Sequence, residues 1–384
     1  LVSFNIGSGV LFFLAKGDAD KGRFIGIATS AVIVIGMSLA LFLVWAWYVG
    51  VPVNPLFPAG INGFPFIAYV IGTVFFGLTH SLFHSIFSGL REFRVVNQMA
   101  LISAVVMAGV FGGLFLLLHG DVGSDNLMIV LVASFCILLF LNALWVMYYV
   151  VVIKIRPVLF RGRALLKPLL SFILIGYLAN LLNLLNYRFD VWYVQELLGA
   201  GELGIYAVAV GVAQFFFQVP DPISRVLQPH LIGQFDQRML DKFRLFARLS
   251  FTLVLIGGTF IMLISNWLFP LLYGEAFTDS AMALRWLMPG ILFACASKMM
   301  ALLVIRTGKV GYNAIASGVG LVFTISMNII FVPKFGIVGA AIASSIAYFA
   351  VLLVVLWFVF RRLNVPFGNY FILLPGDLSR LRDR

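Results

Sequence analysis

The stretch LLSFILIGYLANLLNLLNYRFDVWYVQ, residues Leu169–Gln195, decides how this chain is read. It is apolar enough to enter a bilayer, yet it carries Asn180, Asn183, Asn186, Arg188 and Asp190. At 100° per residue, Asn180, Asn183, Tyr187 and Asp190 fall within an arc of about 80° on one helical face. The other faces are mostly Leu, Ile, Phe and Val. A membrane helix with such a stripe turns it toward protein or toward a watery cavity. Asparagines alone can serve as interhelical glue. An acid and a base need more solvation than glue provides, which favours the cavity wall.

Working outward, the whole chain shares this character. It has 384 residues, of which 62% are hydrophobic and 11% charged, against about 25% charged in a soluble domain. Its apolar runs repeatedly exceed the length that crosses hydrocarbon, so the chain reads as an all-α polytopic membrane protein. The net charge of +11 needs no nucleic acid to explain it, because in a membrane protein the placement of Lys and Arg matters more than their sum. Cys136 and Cys295 both sit in apolar runs and read as small hydrophobes rather than a disulfide framework. With Leu at position 1 and no signal peptide, the chain is expected to begin inside a membrane helix.

Apolar runs fall at 1–15, 24–49, 64–89, 95–118, 126–153, 169–195, 202–224, 246–273, 281–305, 311–332 and 337–360, eleven spans with the first truncated. The loops between them alternate between basic and non-basic. Lys16, Lys21 and Arg23 precede a loop at 50–63 that has neither Lys nor Arg, and Arg91 and Arg94 precede another at 119–125. The same alternation continues through the basic loop 154–168, Arg225 to Arg248, the pair Arg306 and Lys309, and the arginines of the C-terminus, nearly unbroken but for a lone Lys334 between the last two spans. The positive-inside rule then places the basic loops and the C-terminus in the cytoplasm. The expected organisation is an N-terminal transmembrane lobe at 1–153, a cytoplasmic connector at 154–168, a C-terminal lobe at 169–362 and a cytoplasmic tail at 363–384. The segments 154–168 and 225–245 suit either amphipathic helices on an anionic leaflet or simple connectors. Pro220 and Pro222 are expected to bend or end the seventh span. Small residues from Gly339 to Ala347 permit close helix contact in the last one.

No catalytic or metal-binding spacing is present. His80 and His84 stand at i, i+4 without a third ligand or an HExxH motif, and read as packing or cavity lining. There is no phosphate-binding loop for a built-in ATPase. Asp221 and Arg225, also at i, i+4, are placed to pair with each other. Lys298 lies deep in its span and can snorkel inward. Arg188 and Asp190 are two residues apart, point to different sides and cannot neutralise each other on one helix.

Several phrases together carry a family likeness. The span with Arg188-Phe189-Asp190 is followed by Leu203-Gly204-Ile205-Tyr206-Ala207-Val208-Ala209, then Pro229, then Leu272-Tyr273-Gly274-Glu275-Ala276-Phe277. Asn328 leads into Pro333-Lys334-Phe335-Gly336-Ile337-Val338-Gly339-Ala340-Ala341-Ile342-Ala343. The series, over about 169–360, resembles the polysaccharide (O-antigen type) flippases of the multidrug/oligosaccharidyl-lipid/polysaccharide (MOP) exporter superfamily. The resemblance implies a twelve-helix, two-lobed fold like that of the MATE exporters, of which this chain would lack the first helix. It implies passage of an undecaprenyl-pyrophosphate-linked oligosaccharide across the cytoplasmic membrane, with no enzymatic activity and no cofactor. Na+ or H+ would be the coupling ion, and a polysaccharide polymerase and glycosyltransferases would be partners. The cavity set is then Asn180, Asn183, Tyr187, Arg188, Asp190 and Lys298, with His80, His84, Gln214 and Gln218 as further lining. Asparagines suit sugar hydroxyls, and Arg188 or Lys298 suits phosphate. The competing readings are a MATE-like exporter of small organic molecules and an integral-membrane polymerase or glycosyltransferase. A polyprenyl-dependent glycosyltransferase calls for a carboxylate in an outer loop, and 50–63 has no Asp or Glu.

Overall fold

The computed structural model describes residues 6–17, 21–49, 64–117, 124–158, 163–233, 236–363, 369–374 and 377. Among these residues every extended element is a helix: α1 Ile6–Lys16, α2 Lys21–Tyr48, α3 Phe64–Gly89, α4 Phe93–Leu117, α5 Ser124–Tyr148, α6 Arg163–Phe215, α7 Pro220–Gly233, α8 Gln237–Tyr273, α9 Ser280–Arg306 and α10 Gly311–Trp357. Eight of them are long and apolar enough to cross a membrane. Two of the eight are pairs of helices joined at one residue. Gly199 (φ 88°, ψ 177°) breaks α6 and Gly336 (φ 58°, ψ −138°) breaks α10. Both glycines have a positive φ that costs an L side chain energy, so glycine is the residue that lets the chain turn without a loop. Counting the halves separately, and adding the shorter α1, recovers the eleven expected spans.

The chain divides into two compact units, Leu1–Ile173 and Leu174–Arg384. In the first, α1 lies close against α3. A Cβ on Gly7 would meet Ser85 Oγ, and one on Gly89 would come 2.9 Å from Leu14 Cβ. Close approach over small residues is how membrane helices associate when surrounding lipid removes the hydrophobic drive. Ile86, Phe87, Met99 and Trp145 join α3, α4 and α5 in its core. Beyond a π-helical turn at Tyr149–Ile153, residues 154–158 leave the helix and run beside the start of α2, with Val158 N–H donating to Gly22 O at 3.0 Å. Of the connector expected at 154–168, the part from Arg163 is already the first turn of α6, and 159–162 lie outside the described residues.

The second unit is organised around α9, whose apolar window is 67% buried against 44% in α10. Gly290 is a point of close approach between these two. A Cβ there would come 2.5 Å from Ser345 Cα, while Ser345 Oγ donates to Trp286 O at 2.6 Å. Ala340, Ala341, Ala343 and Ala347 are fully buried, so the small-residue run packs as its composition suggests. A 3-10 turn at Phe216–Gln218 separates α6 from α7, where the prolines were expected to interrupt the span. Asp236 caps α8, its Oδ1 accepting from Met239 N–H at 2.7 Å.

Within the segment expected as a cytoplasmic tail, the described residues 369–374 and 377 pack against α8. Tyr370 is fully buried against Phe243 and Phe360, with the Arg244 guanidinium 5.3 Å from its ring centre. Asp377 is buried and accepts both hydrogen bonds from Arg248 Nη1, at 3.0 and 2.8 Å, while Arg248 Nε donates to Asn369 O. The segment is held because an aromatic ring and a charge-assisted pair anchor it to α8 at two points.

Candidate functional site

Asp190 lies inside the C-terminal unit, 3% exposed, at the centre of a polar cluster. Its Oδ2 accepts hydrogen bonds from Tyr206 Oη at 2.6 Å and Ser344 Oγ at 2.9 Å, and its Oδ1 accepts from Val191 N–H at 2.8 Å. One turn earlier on the same face, Asn186, 2% exposed, accepts from Thr324 Oγ1. Asn328 is fully buried beside them and donates to Thr324 O at 2.8 Å, leaving its own Oδ1 without a partner. The rings of Tyr187 and Tyr348 meet edge-on 5.6 Å apart and close the cluster toward Phe217. Lys, Arg and His of the described residues form no ion pair with Asp190.

The polar residues of α6 are thus divided within their own unit: Asn186 and Asp190 are buried, Asn183 and Tyr187 are half-buried and Asn180 is exposed. The reason is that Tyr206, Ser344 and Thr324 bring hydroxyls from three other helical segments, and buried polar groups go where partners are. Arg188, on another side of the helix, is exposed. Tyr206 and Asn328 stood in the motifs quoted above and Ser344 in the small-residue run. Nothing in their local sequence marks them as partners of an acid on another helix.

A second site lies where α6 gives way to α7. Lys298 Nζ is 2.9 Å from Asp221 Oδ1 and 3.9 Å from the centre of the Phe217 ring. The expected pairing of Asp221 with Arg225 is therefore replaced by one with Lys298, 77 residues further along the chain. Phe217 explains the preference, since its face offers the ammonium a second favourable contact. Gln214 is half-buried, and Gln218 is exposed at one end of an apolar groove of about 820 Å³ lined by Val212, Phe216, Gly257, Phe260 and Tyr273. In the N-terminal unit, His80 and His84 are half-buried on α3. No group of three His, Cys, Asp or Glu side chains among the described residues is placed to hold a metal ion.

The fold is that of solved transporters. The chain superposes on a MATE transporter in complex with MaL6 with a TM-score of 0.76 at 16% identity, over 94% of this chain and 84% of that one. It superposes on the MATE transporter ClbM in complex with Rb+ with a TM-score of 0.72 at 17% identity, over 99% and 85%. The Vibrio cholerae MATE transporter VcmN in its bent form gives 0.70 at 14% identity, over 92% and 84%. Among curated proteins, the capsular polysaccharide biosynthesis protein CapF of Staphylococcus aureus is 25% identical over 187 residues, and the match takes in 48% of this chain and about half, 47%, of CapF. The model of one sequence family, described as polysaccharide biosynthesis protein, matches residues 87–282, just over half of the chain. That match shows that the chain belongs to this family of polysaccharide biosynthesis proteins, a polytopic membrane protein with the fold of the MATE transporters.

Proposed function

We propose that the protein flips an undecaprenyl-pyrophosphate-linked oligosaccharide across the cytoplasmic membrane for surface polysaccharide assembly, by alternating access of two lobes. The observation that carries this reading is the joining of a polysaccharide-biosynthesis family to an exporter fold. A lipid-linked glycan is a polysaccharide intermediate that has to change membrane leaflet. Moving it makes and breaks no covalent bond, so the protein acts as a transporter and not as an enzyme. The two lobes are 1–153 and 169–362, with 154–168 between them and the C-terminus cytoplasmic, as the alternation of basic loops supports. Asn180, Asn183 and Arg188 are the α6 side chains assigned to sugar and phosphate, since they lie on its exposed or half-buried sides. Lys298 supplies a further cation, and Gln218, Gln214, His80 and His84 are secondary candidates.

Asp190 is assigned the coupling ion. One buried carboxylate among the neutral oxygens of Tyr206, Ser344, Asn186 and Thr324 suits a single positive charge, Na+ or a proton. A divalent ion takes more carboxylate ligands than this. A polymerase and glycosyltransferases are the enzymes that would act on either side of the step.

The similarity to MATE transporters favours a second reading, export of small organic molecules. One experiment separates the two. The full-length protein, expressed in a cell lacking its own flippase, is expected to restore surface polysaccharide. Resistance to cationic drugs without restored polysaccharide would instead establish the exporter.

A further inference from the structure

The Asp221–Lys298 pair has the structure of an occupied anion site. Its two side chains are 36% and 29% exposed, so a ligand can reach them without unfolding the unit. Lys298 Nζ gives one hydrogen bond to one carboxylate oxygen, and its remaining contact is the face of Phe217, which accepts no conventional hydrogen bond. An ammonium has three N–H donors, so this one is positioned but not saturated. Asp221 stands in the first turn of α7, directly after Pro220 and the 3-10 turn. One turn further along α7, Arg225 is exposed and forms no ion pair among the described residues. The local set is two cations and one internal anion.

Resting on the flippase reading above, we infer that this pair is a ligand-displaced latch and that the displacing ligand is a diphosphate. Asp221 holds Lys298 over Phe217 while the site is empty. A diphosphate carries more negative charge than one carboxylate and presents several acceptor oxygens, so it displaces Asp221 from Lys298 and recruits Arg225. When the ligand leaves, Asp221 recaptures Lys298. An internal competitor of this kind lowers affinity in exchange for release, which a transporter needs as much as binding. Because a partly exposed pair is worth no more than about a fivefold bias in equilibrium, it yields to a ligand and still re-forms without one.

The test uses the full chain in lipid nanodiscs, with inorganic pyrophosphate and farnesyl diphosphate as probes and calorimetry as the readout. Asp221→Asn is expected to bind pyrophosphate roughly fivefold more tightly than the unmodified protein. Lys298→Gln is expected to bind at least about tenfold more weakly, and Asp221→Glu to match the unmodified protein. Tighter binding of farnesyl diphosphate than of pyrophosphate identifies a lipid-borne ligand, and equal binding a free diphosphate; the latch stands in either case. Unchanged or weaker pyrophosphate binding by Asp221→Asn overturns it. Should that variant not fold, Lys298→Arg and Lys298→Gln decide: arginine is expected to retain binding, and equal binding by the two sinks the proposal. The expected pattern without restored surface polysaccharide in cells would keep the latch and remove the flippase reading. Restored polysaccharide with no effect at Asp221 would do the reverse.

Discussion

Replacing Asp190 by asparagine removes one charge and can keep the number of hydrogen bonds, with two of them reversed in direction. In the native cluster Oδ2 accepts from Tyr206 and Ser344, and Oδ1 accepts from Val191 N–H. An asparagine oriented with its oxygen toward Val191 presents its NH2 group to the two hydroxyls. Each hydroxyl can rotate and accept, and the NH2 group has the two hydrogens required. The expected stability cost is therefore below about 1 kcal/mol, the scale of one net hydrogen bond. Asp190→Leu is different, because it leaves both buried hydroxyls with no hydrogen-bond partner at this position, at about 1–3 kcal/mol each. The asparagine variant should be recovered from membranes in normal amount with a near-native thermal midpoint, while polysaccharide transport in a flippase-deleted cell is lost. The leucine variant should lose both yield and transport. Full transport by Asp190→Asn would show that the charge is not used, leaving Asp190 as a packing residue. A strongly destabilised asparagine variant would refute the hydrogen-bond exchange itself.

Two other outcomes are expected. Asp377→Ala leaves the Arg248 guanidinium without its buried carboxylate and should destabilise the protein by about 3 kcal/mol; Arg248→Met combined with Asp377→Leu should recover most of that, as chemical unfolding in detergent would measure. For topology, cysteines at Gly60, Gly123 and Asp279 should react with an impermeant thiol reagent added outside, and cysteines at Arg163 and Gln237 should not. Cys136, which is exposed, is first replaced by alanine. Outside labelling at Arg163 would invert the assigned orientation.

The spans were legible because hydrocarbon imposes a minimum apolar length and the basic loops, Lys334 aside, mark every second turn. The breaks were legible only as gaps between runs, since Gly199 and Gly336 each turn the chain with a single residue. The orientation of α6 was harder. Four polar residues share an arc of about 80°, and spacing alone does not say which edge of that arc faces inward. Tyr206, Thr324 and Ser344 decide it, and they belong to other helical segments. Asp221 gives the same lesson: Arg225 is the partner a helix offers locally, but Lys298 is the one that packing brings within reach. The docking of Tyr370 and Asp377 had no local signal, because a tail that ends in basic residues looks solvated whether or not an aromatic ring beside it finds a pocket.

The bond from Ser344 to Asp190 joins residues 154 positions apart. At a synthesis rate of 5–20 residues per second, Ser344 leaves the ribosome roughly 8 to 30 s after Asp190. Tyr206, only 16 positions on, follows within about 1 to 3 s. For a chain that enters the membrane as it is made, the nascent acid thus waits in a half-built lobe with its early tyrosine and without its serine. Of its two side-chain partners, Tyr206 is the first that the carboxylate can meet. A substitution at Tyr206 should therefore show itself first in how much protein reaches the membrane, before any defect in the protein that arrives.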